Sequence, residues 1–89
     1  MPARTVVVAS RVGLHARPAA VFARAAAESG LPITLTAPSV TSVNAASILA
    51  VLSLGVDHGQ EVTVSAEGEG ADDAVDRLVA ILSADDDQL

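Results

Sequence analysis

Apolar and polar positions alternate most clearly from Gln60 to Glu67, where Val62, Val64 and Ala66 interleave with Glu61, Thr63, Ser65 and Glu67. A period of two predicts a strand with one buried and one wet face. Gly68 and Gly70 end it. A second, shorter alternation predicts a strand over Leu31 to Thr36, with Ile33 and Leu35 set against Thr34 and Thr36. The β-branched run Val6-Val7-Val8 predicts a strand over Arg4 to Ala9, and Val40 to Val43 reads as another.

Helical spacing appears in three places. Ala19, Phe22, Ala23 and Ala26 recur at intervals of three and four, which predicts a helix over Ala16 to Glu28 with these residues inward. Pro18 falls in its first turn, where the missing N–H removes no intrahelical bond, and Gly30 suits a left-handed stop. A short apolar stretch from Ser47 to Ser53 is opened by a hydroxyl and closed by Gly55, with Ile48, Val51 and Leu52 available for the inward face. Ala71 to Ser83 carries an inward stripe of Ala74, Leu78, Ile81 and Leu82, and Asp72 and Asp73 in the first turn complement the helix dipole.

The order is β-α-β-β-α-β-α. Two strands are consecutive and the clearest strand has a wet face. A mainly antiparallel sheet with helices on one side fits better than a parallel βαβ array, giving a two-layer α+β domain. The 89 residues suffice for one domain, residues 1–89, with a modest core. Phe22 is the only aromatic residue, so that core is built from Val, Leu, Ile and Ala.

Charge and composition narrow the chemistry. The formal net charge is −6, the five basic residues are all arginines, and there is no cysteine. Disulfides and thiolate metal sites are therefore impossible. An acidic chain with one aromatic ring lacks the basic patches and stacking platforms of a nucleic-acid binder. No signal peptide or membrane-length apolar run is visible, so a cytoplasmic protein without membrane insertion is expected. Asp85-Asp86-Asp87 reads as a solvated tail.

The stretch Gly13-Leu14-His15-Ala16-Arg17-Pro18-Ala19 carries the candidate chemistry. It sets a histidine at the cap of a predicted helix with an arginine two residues on. The first N–H groups of a helix lack intrahelical partners and, with the dipole, form an anion site. A phosphoryl group on His15 would meet the N–H groups of Ala16 and Arg17, while the Arg17 guanidinium bonds two of its oxygens. The same field disfavours imidazolium, so a neutral, nucleophilic His15 is expected near neutral pH. A plain helix cap beside a solvated arginine is the alternative, although histidine is not a favoured cap.

That heptapeptide resembles the active-centre signature of HPr, the histidine-containing phosphocarrier family of the bacterial phosphoenolpyruvate-dependent sugar phosphotransferase system. The block Val43 to Gly55 resembles the family's regulatory serine segment, and Val62 to Gly68 its last strand. The likeness spans essentially the whole chain. It implies an open-faced β-sandwich, a four-stranded antiparallel sheet covered on one face by three helices. It implies phosphorylation of His15 on Nδ1 by Enzyme I and transfer to the IIA domains of sugar permeases, with Arg17 stabilising the group. Such a protein is a carrier, not a free-standing enzyme, and needs no cofactor. The resemblance also makes Ser47 a regulatory phosphorylation site for a serine kinase. Ala46, however, stands where many relatives have a basic residue, and the chain has no lysine. Leu49 and Leu52 fall where relatives expose apolar side chains to partners. Ala20 and Val21 extend that patch, and Arg24 adds a charge at its rim.

Two readings compete. A regulatory binding module would act through Ser47 and protein contacts, but such relatives replace the active histidine, which is present here. A ligand-sensing ferredoxin-like domain explains the element order but not the grouping of His15, Arg17 and Pro18. A paralogous carrier acting outside sugar uptake uses the same histidine chemistry. His58, in the turn Asp57-His58-Gly59, reads as a solvated residue, and two histidines so placed make no metal site. Gly68-Glu69-Gly70 lacks the lysine and spacing of a phosphate loop. A monomer is expected for so small a carrier.

Overall fold

The computed structural model describes residues 3–9, 16–37, 42–57 and 59–83. Seven elements follow in order: β1 (Ala3–Val7), α1 (Ala16–Glu28), β2 (Ile33–Thr36), β3 (Ser42–Asn44), α2 (Ile48–Ser53), β4 (Glu61–Ala66) and α3 (Ala71–Ser83). The strands form one sheet in the order β1-β4-β2-β3, and every neighbouring pair is antiparallel. The helices contact the face that carries Val62, Val64, Ile33 and Leu35, all buried. This is the open-faced two-layer α+β architecture expected from the element order.

Both long helices have the predicted bounds. α1 buries Ala19, Phe22, Ala23 and Ala26, with Ala19 and Phe22 fully buried. Its end is closed locally. Ser29 Oγ donates to the Ala26 carbonyl at 2.6 Å, and Gly30 turns left-handed at φ 71°. On α3 the buried stripe is Ala71, Val75, Leu78 and Leu82. This corrects the expected stripe: Ala74 and Ile81 are only partly buried, packed at its margin. The helix is rotated so that the 71-75-78-82 row, which includes the larger Val75, points at the sheet.

The strands are shorter than the apolar pattern suggests, for identifiable reasons. β1 leaves the ladder after Val7. The Val8 N–H still reaches the Gln60 carbonyl at 2.9 Å, but the Ala9 N–H bonds Leu82 at the end of α3 at 3.0 Å, which draws the chain off the sheet. β2 begins at Ile33 because the Leu31 N–H is taken by Ser29 Oγ at 3.2 Å and Pro32 has no N–H to give. β4 loses only one residue at each end relative to the alternation. For β3, the predicted start at Val40 lies outside the described residues, and the strand extends to Asn44.

The open face of the sheet is covered with hydroxyls. Thr5 and Thr63 Oγ1 atoms lie 3.0 Å apart across β1 and β4, and Thr36 Oγ1 lies 2.9 Å from Ser42 Oγ across β2 and β3. Cross-strand pairs of this kind stabilise a solvated face without burying apolar area.

Candidate functional site

The N-terminus of α1 is where the sequence concentrates its chemistry. His15 lies outside the described residues, as do Gly13 and Leu14; the helix begins at the very next residue, Ala16. Ala16, Arg17 and Pro18 therefore occupy its first three positions. Arg17 is exposed and Pro18 is buried. The burial of Pro18, Ala19 and Phe22 fixes the start of α1 on the core, so the direction of its first turn is set by packing.

Ala20 and Val21 each lie three or four positions from both Arg17 and Arg24, so the four share the outward side of the helix. Ala20 is exposed, Val21 is 37% exposed, and the Arg24 side chain is 82% exposed. Arg24 Nε approaches Glu28 Oε2 at 3.5 Å, and Arg77 of α3 approaches the other oxygen of the same carboxylate at 3.5 Å. Glu28 thus joins α1 to α3 at the C-terminal end of α1. These groups are all about half-exposed or more, and pairs of this kind contribute little to stability.

α2 packs against α1 and β3. The sequence Asn44-Ala45-Ala46-Ser47 makes the turn that leads into it. Asn44 Oδ1 accepts the Ala46 N–H at 3.0 Å, and Ser47 donates its N–H to the Asn44 carbonyl at 3.1 Å. Ser47 is the cap: extended at φ −99°, it accepts the Ala50 N–H on its side chain. Leu49, expected outward, is 77% exposed, and Leu52 is partly buried.

Ile48 was expected inward and is instead 38% exposed. The six-residue helix places only Val51 fully in the core. A helix of under two turns cannot present a long inward stripe, and Ile48, beside Leu49, falls on its rim. Ile48 is thus the apolar residue of this face that periodicity alone misses. The sequence carries one hint of this, since Ile48 adjoins Leu49, the residue expected outward.

Two clefts are formed by described residues away from the start of α1. A cleft of about 250 Å³ is bordered by Ser29, Leu31, Asp73 and Arg77. Another of about 430 Å³ lies over β2 and β3. Neither is lined by Arg17 or by the exposed residues of α2. Among the described residues, no cluster of three or more His, Cys, Asp or Glu is arranged to hold a metal, and no helix is long and apolar enough to cross a membrane. His58 lies outside the described residues.

Comparison with known proteins agrees with this geometry. The family profile described as "PTS HPr component phosphorylation site" matches residues 2–84. The chain is 45% identical to the phosphocarrier protein HPr of Streptomyces coelicolor over 83 residues, covering 93% of this chain and 89% of that one. The crystal structure of HPr-C-His from Thermoanaerobacter tengcongensis superposes with a TM-score of 0.87 at 38% identity, covering 92% of this chain and 91% of that one. A crystal structure described as an HPr dimer, from the same organism, superposes with a TM-score of 0.69 at 42% identity and covers 78% of each chain.

Proposed function

The chain belongs to the HPr family of phosphocarrier proteins, and from that premise we propose that His15 is its phosphoryl acceptor, loaded by Enzyme I and unloaded onto the IIA domains of sugar permeases. The reading rests on one observation: the histidine of the Gly13–Ala19 stretch directly precedes α1, whose second residue is an exposed arginine.

In this reading the Nδ1 lone pair of a neutral His15 forms a bond to phosphorus as the bond from phosphorus to the donor breaks, and the donor keeps that electron pair. The N–H groups of Ala16 and Arg17 and the Arg17 guanidinium offset the charge of the bound group. Contacts of this strength are worth roughly 0.3–1 kcal/mol when exposed and about 2 when partly buried. They hold the group without trapping it, as onward transfer requires. The partner supplies the remaining electrostatic stabilisation, and the carrier supplies a positioned nucleophile. No cofactor is needed, and residues 1–89 act as one carrier domain in the cytoplasm.

Leu49, Leu52, Ala20 and Val21 form the apolar docking surface, joined by Ile48, with Arg24 at the rim to meet an acidic partner. Ser47 is the regulatory position. A phosphate there adds roughly −1.5 to −2 charges beside Ile48 and Leu49 and opposes docking. The active unit is a monomer, since the docking surface serves different partners in turn.

The test is incubation with phosphoenolpyruvate and Enzyme I, followed by mass measurement. The expected result is a gain of one phosphoryl group, acid-labile and base-stable, and absent from His15→Ala. An acid-stable adduct confined to Ser47, with none on His15, would instead identify a regulatory module.

A further inference from the structure

The chain has 11 acidic residues against five basic ones, yet the two helices that border the docking surface carry a single acid between them. α2 has none, and in α1 it is Glu28. Its position does not serve the helix. Glu28 is the last residue of α1, where the dipole disfavours a negative charge, and an arginine four residues before a glutamate is the weaker order for a helical ion pair. What Glu28 does have is two guanidinium groups. Arg24 of α1 and Arg77 of α3 each stand 3.5 Å from one of its oxygens. Arg77 also lines a cleft with Glu69 and Asp73, so its charge is offset from that side as well. Among the described residues, Arg24 has Glu28 as its one ion-pair partner.

We propose that Glu28 tunes docking by masking Arg24, which weakens the attraction of this surface for an acidic partner. Two effects oppose. A carboxylate that held the guanidinium rigidly would prepare it for the partner and raise affinity. A carboxylate that only lies near it offsets its charge and lowers the encounter rate. Distance decides between them. Charge-assisted N–H···O bonds run about 2.7–2.9 Å. At 3.5 Å, with the Arg24 side chain 82% exposed, the hold is loose while the Coulomb offset remains. Masking therefore outweighs positioning. A carrier that leaves one partner for the next gains from the weaker grip. The inference deepens the carrier reading and rests on it for the partner, but the masking itself concerns Arg24 and Glu28 alone.

The experiment measures association with Enzyme I by stopped flow, across ionic strength, for the native chain, Glu28→Gln, Arg24→Ala and the double variant. Both pairs of Glu28 are exposed, so Glu28→Gln keeps the fold. Glu61→Gln is the control: it removes the same charge from an exposed residue of β4, beside the inward-facing Val62. Glu28→Gln is expected to associate about three-fold faster at low salt, with the gain closing as salt rises. Arg24→Ala is expected to slow the Glu28→Gln chain by a larger factor than the native chain, and Glu61→Gln to change the rate little. A native or slower rate in Glu28→Gln overturns the inference, as does an equal gain in Glu61→Gln or an equal effect of Arg24→Ala in both backgrounds. A second titration replaces Enzyme I with a polyglutamate peptide and follows the NMR signal of the Arg24 Nε–H. Glu28→Gln is expected to bind the peptide about three-fold more tightly than the native chain, and equal binding overturns the masking. If the native chain does not dock on Enzyme I, the carrier reading fails by itself, while the peptide titration still decides whether Glu28 masks Arg24.

Discussion

Ser47 Oγ accepts the Ala50 N–H at 3.3 Å, while the Ser47 carbonyl accepts the Val51 N–H at 3.0 Å. One residue therefore both caps α2 and begins its ladder. A helix of six residues is too short to stand on propensity, so its cap and its single buried residue carry much of its stability. Ser47→Ala should cost about 1 kcal/mol. In a domain of this size that lowers the melting temperature by roughly 4–8 °C. Ser47→Asp keeps an acceptor in place and should melt close to the native protein. Thermal unfolding followed by circular dichroism distinguishes them, and equal melting of Ser47→Ala and native protein would remove the cap from the account.

Leu49 and Val51 lie two positions apart on α2 with opposite environments, 77% and 0% exposed. Leu49→Ala should change stability by less than about 0.5 kcal/mol, as surface substitutions do. Its effect is expected in the KM for phosphorylated Enzyme I, with kcat preserved, because docking is lost and chemistry is not. Val51→Ala should do the reverse, destabilising by about 2 kcal/mol while the folded fraction docks normally. Denaturation curves paired with steady-state kinetics on both variants test this. A stability loss in Leu49→Ala equal to that in Val51→Ala would place Leu49 in the core.

Periodicity made most of this fold readable because long elements average over many positions. The bounds of α1 and α3 follow from thirteen residues each, and the alternation in β4 sets its buried face within one residue at each end. The errors fall where a few local bonds outweigh the pattern. Ser29 and Pro32 shorten β2 by diverting or removing donors, and Ala9 bonding to Leu82 ends β1 early. Ile48 was misplaced because a helix of fewer than two turns has no reliable inward stripe. The rotation of α3 toward Val75 reflects packing volume, which a hydrophobic/polar pattern does not encode. At the site, the order of His15, Arg17 and Pro18 was legible because a helix start is written in local sequence.

Phe22 is the only aromatic residue in the chain and is fully buried beneath α1. Its ring contacts a core otherwise made of small aliphatic groups, so no neighbour is large enough to fill the space it would leave. Phe22→Ala should cost about 3–5 kcal/mol, a large share of the roughly 5–15 kcal/mol that holds a domain folded. Phe22→Leu, which leaves a smaller void, should cost less than half as much. In a urea titration the midpoint should fall in that order with the slope unchanged. A Phe22→Ala midpoint near the native value would mean that α1 is held on the sheet chiefly by its alanines.

Arg17 offers the sharpest separation of charge from geometry at the proposed site. It sits at the second position of α1, exposed, one residue before the buried Pro18. Removing its guanidinium should therefore leave the fold within about 1 kcal/mol of native stability. Arg17→Ala should lower kcat/KM for transfer from phosphorylated Enzyme I by roughly 5- to 30-fold, equivalent to about 1–2 kcal/mol of lost phosphoryl stabilisation. Arg17→Lys keeps the charge but lacks the planar fork that bonds two oxygens, so its rate should fall between the two. Raising the ionic strength should narrow the gap between native protein and Arg17→Ala, because an exposed contact is screened. If all three proteins transfer at one rate at low salt, the phosphoryl group is held without Arg17, and the backbone N–H groups of α1 together with the partner must supply the whole of its stabilisation.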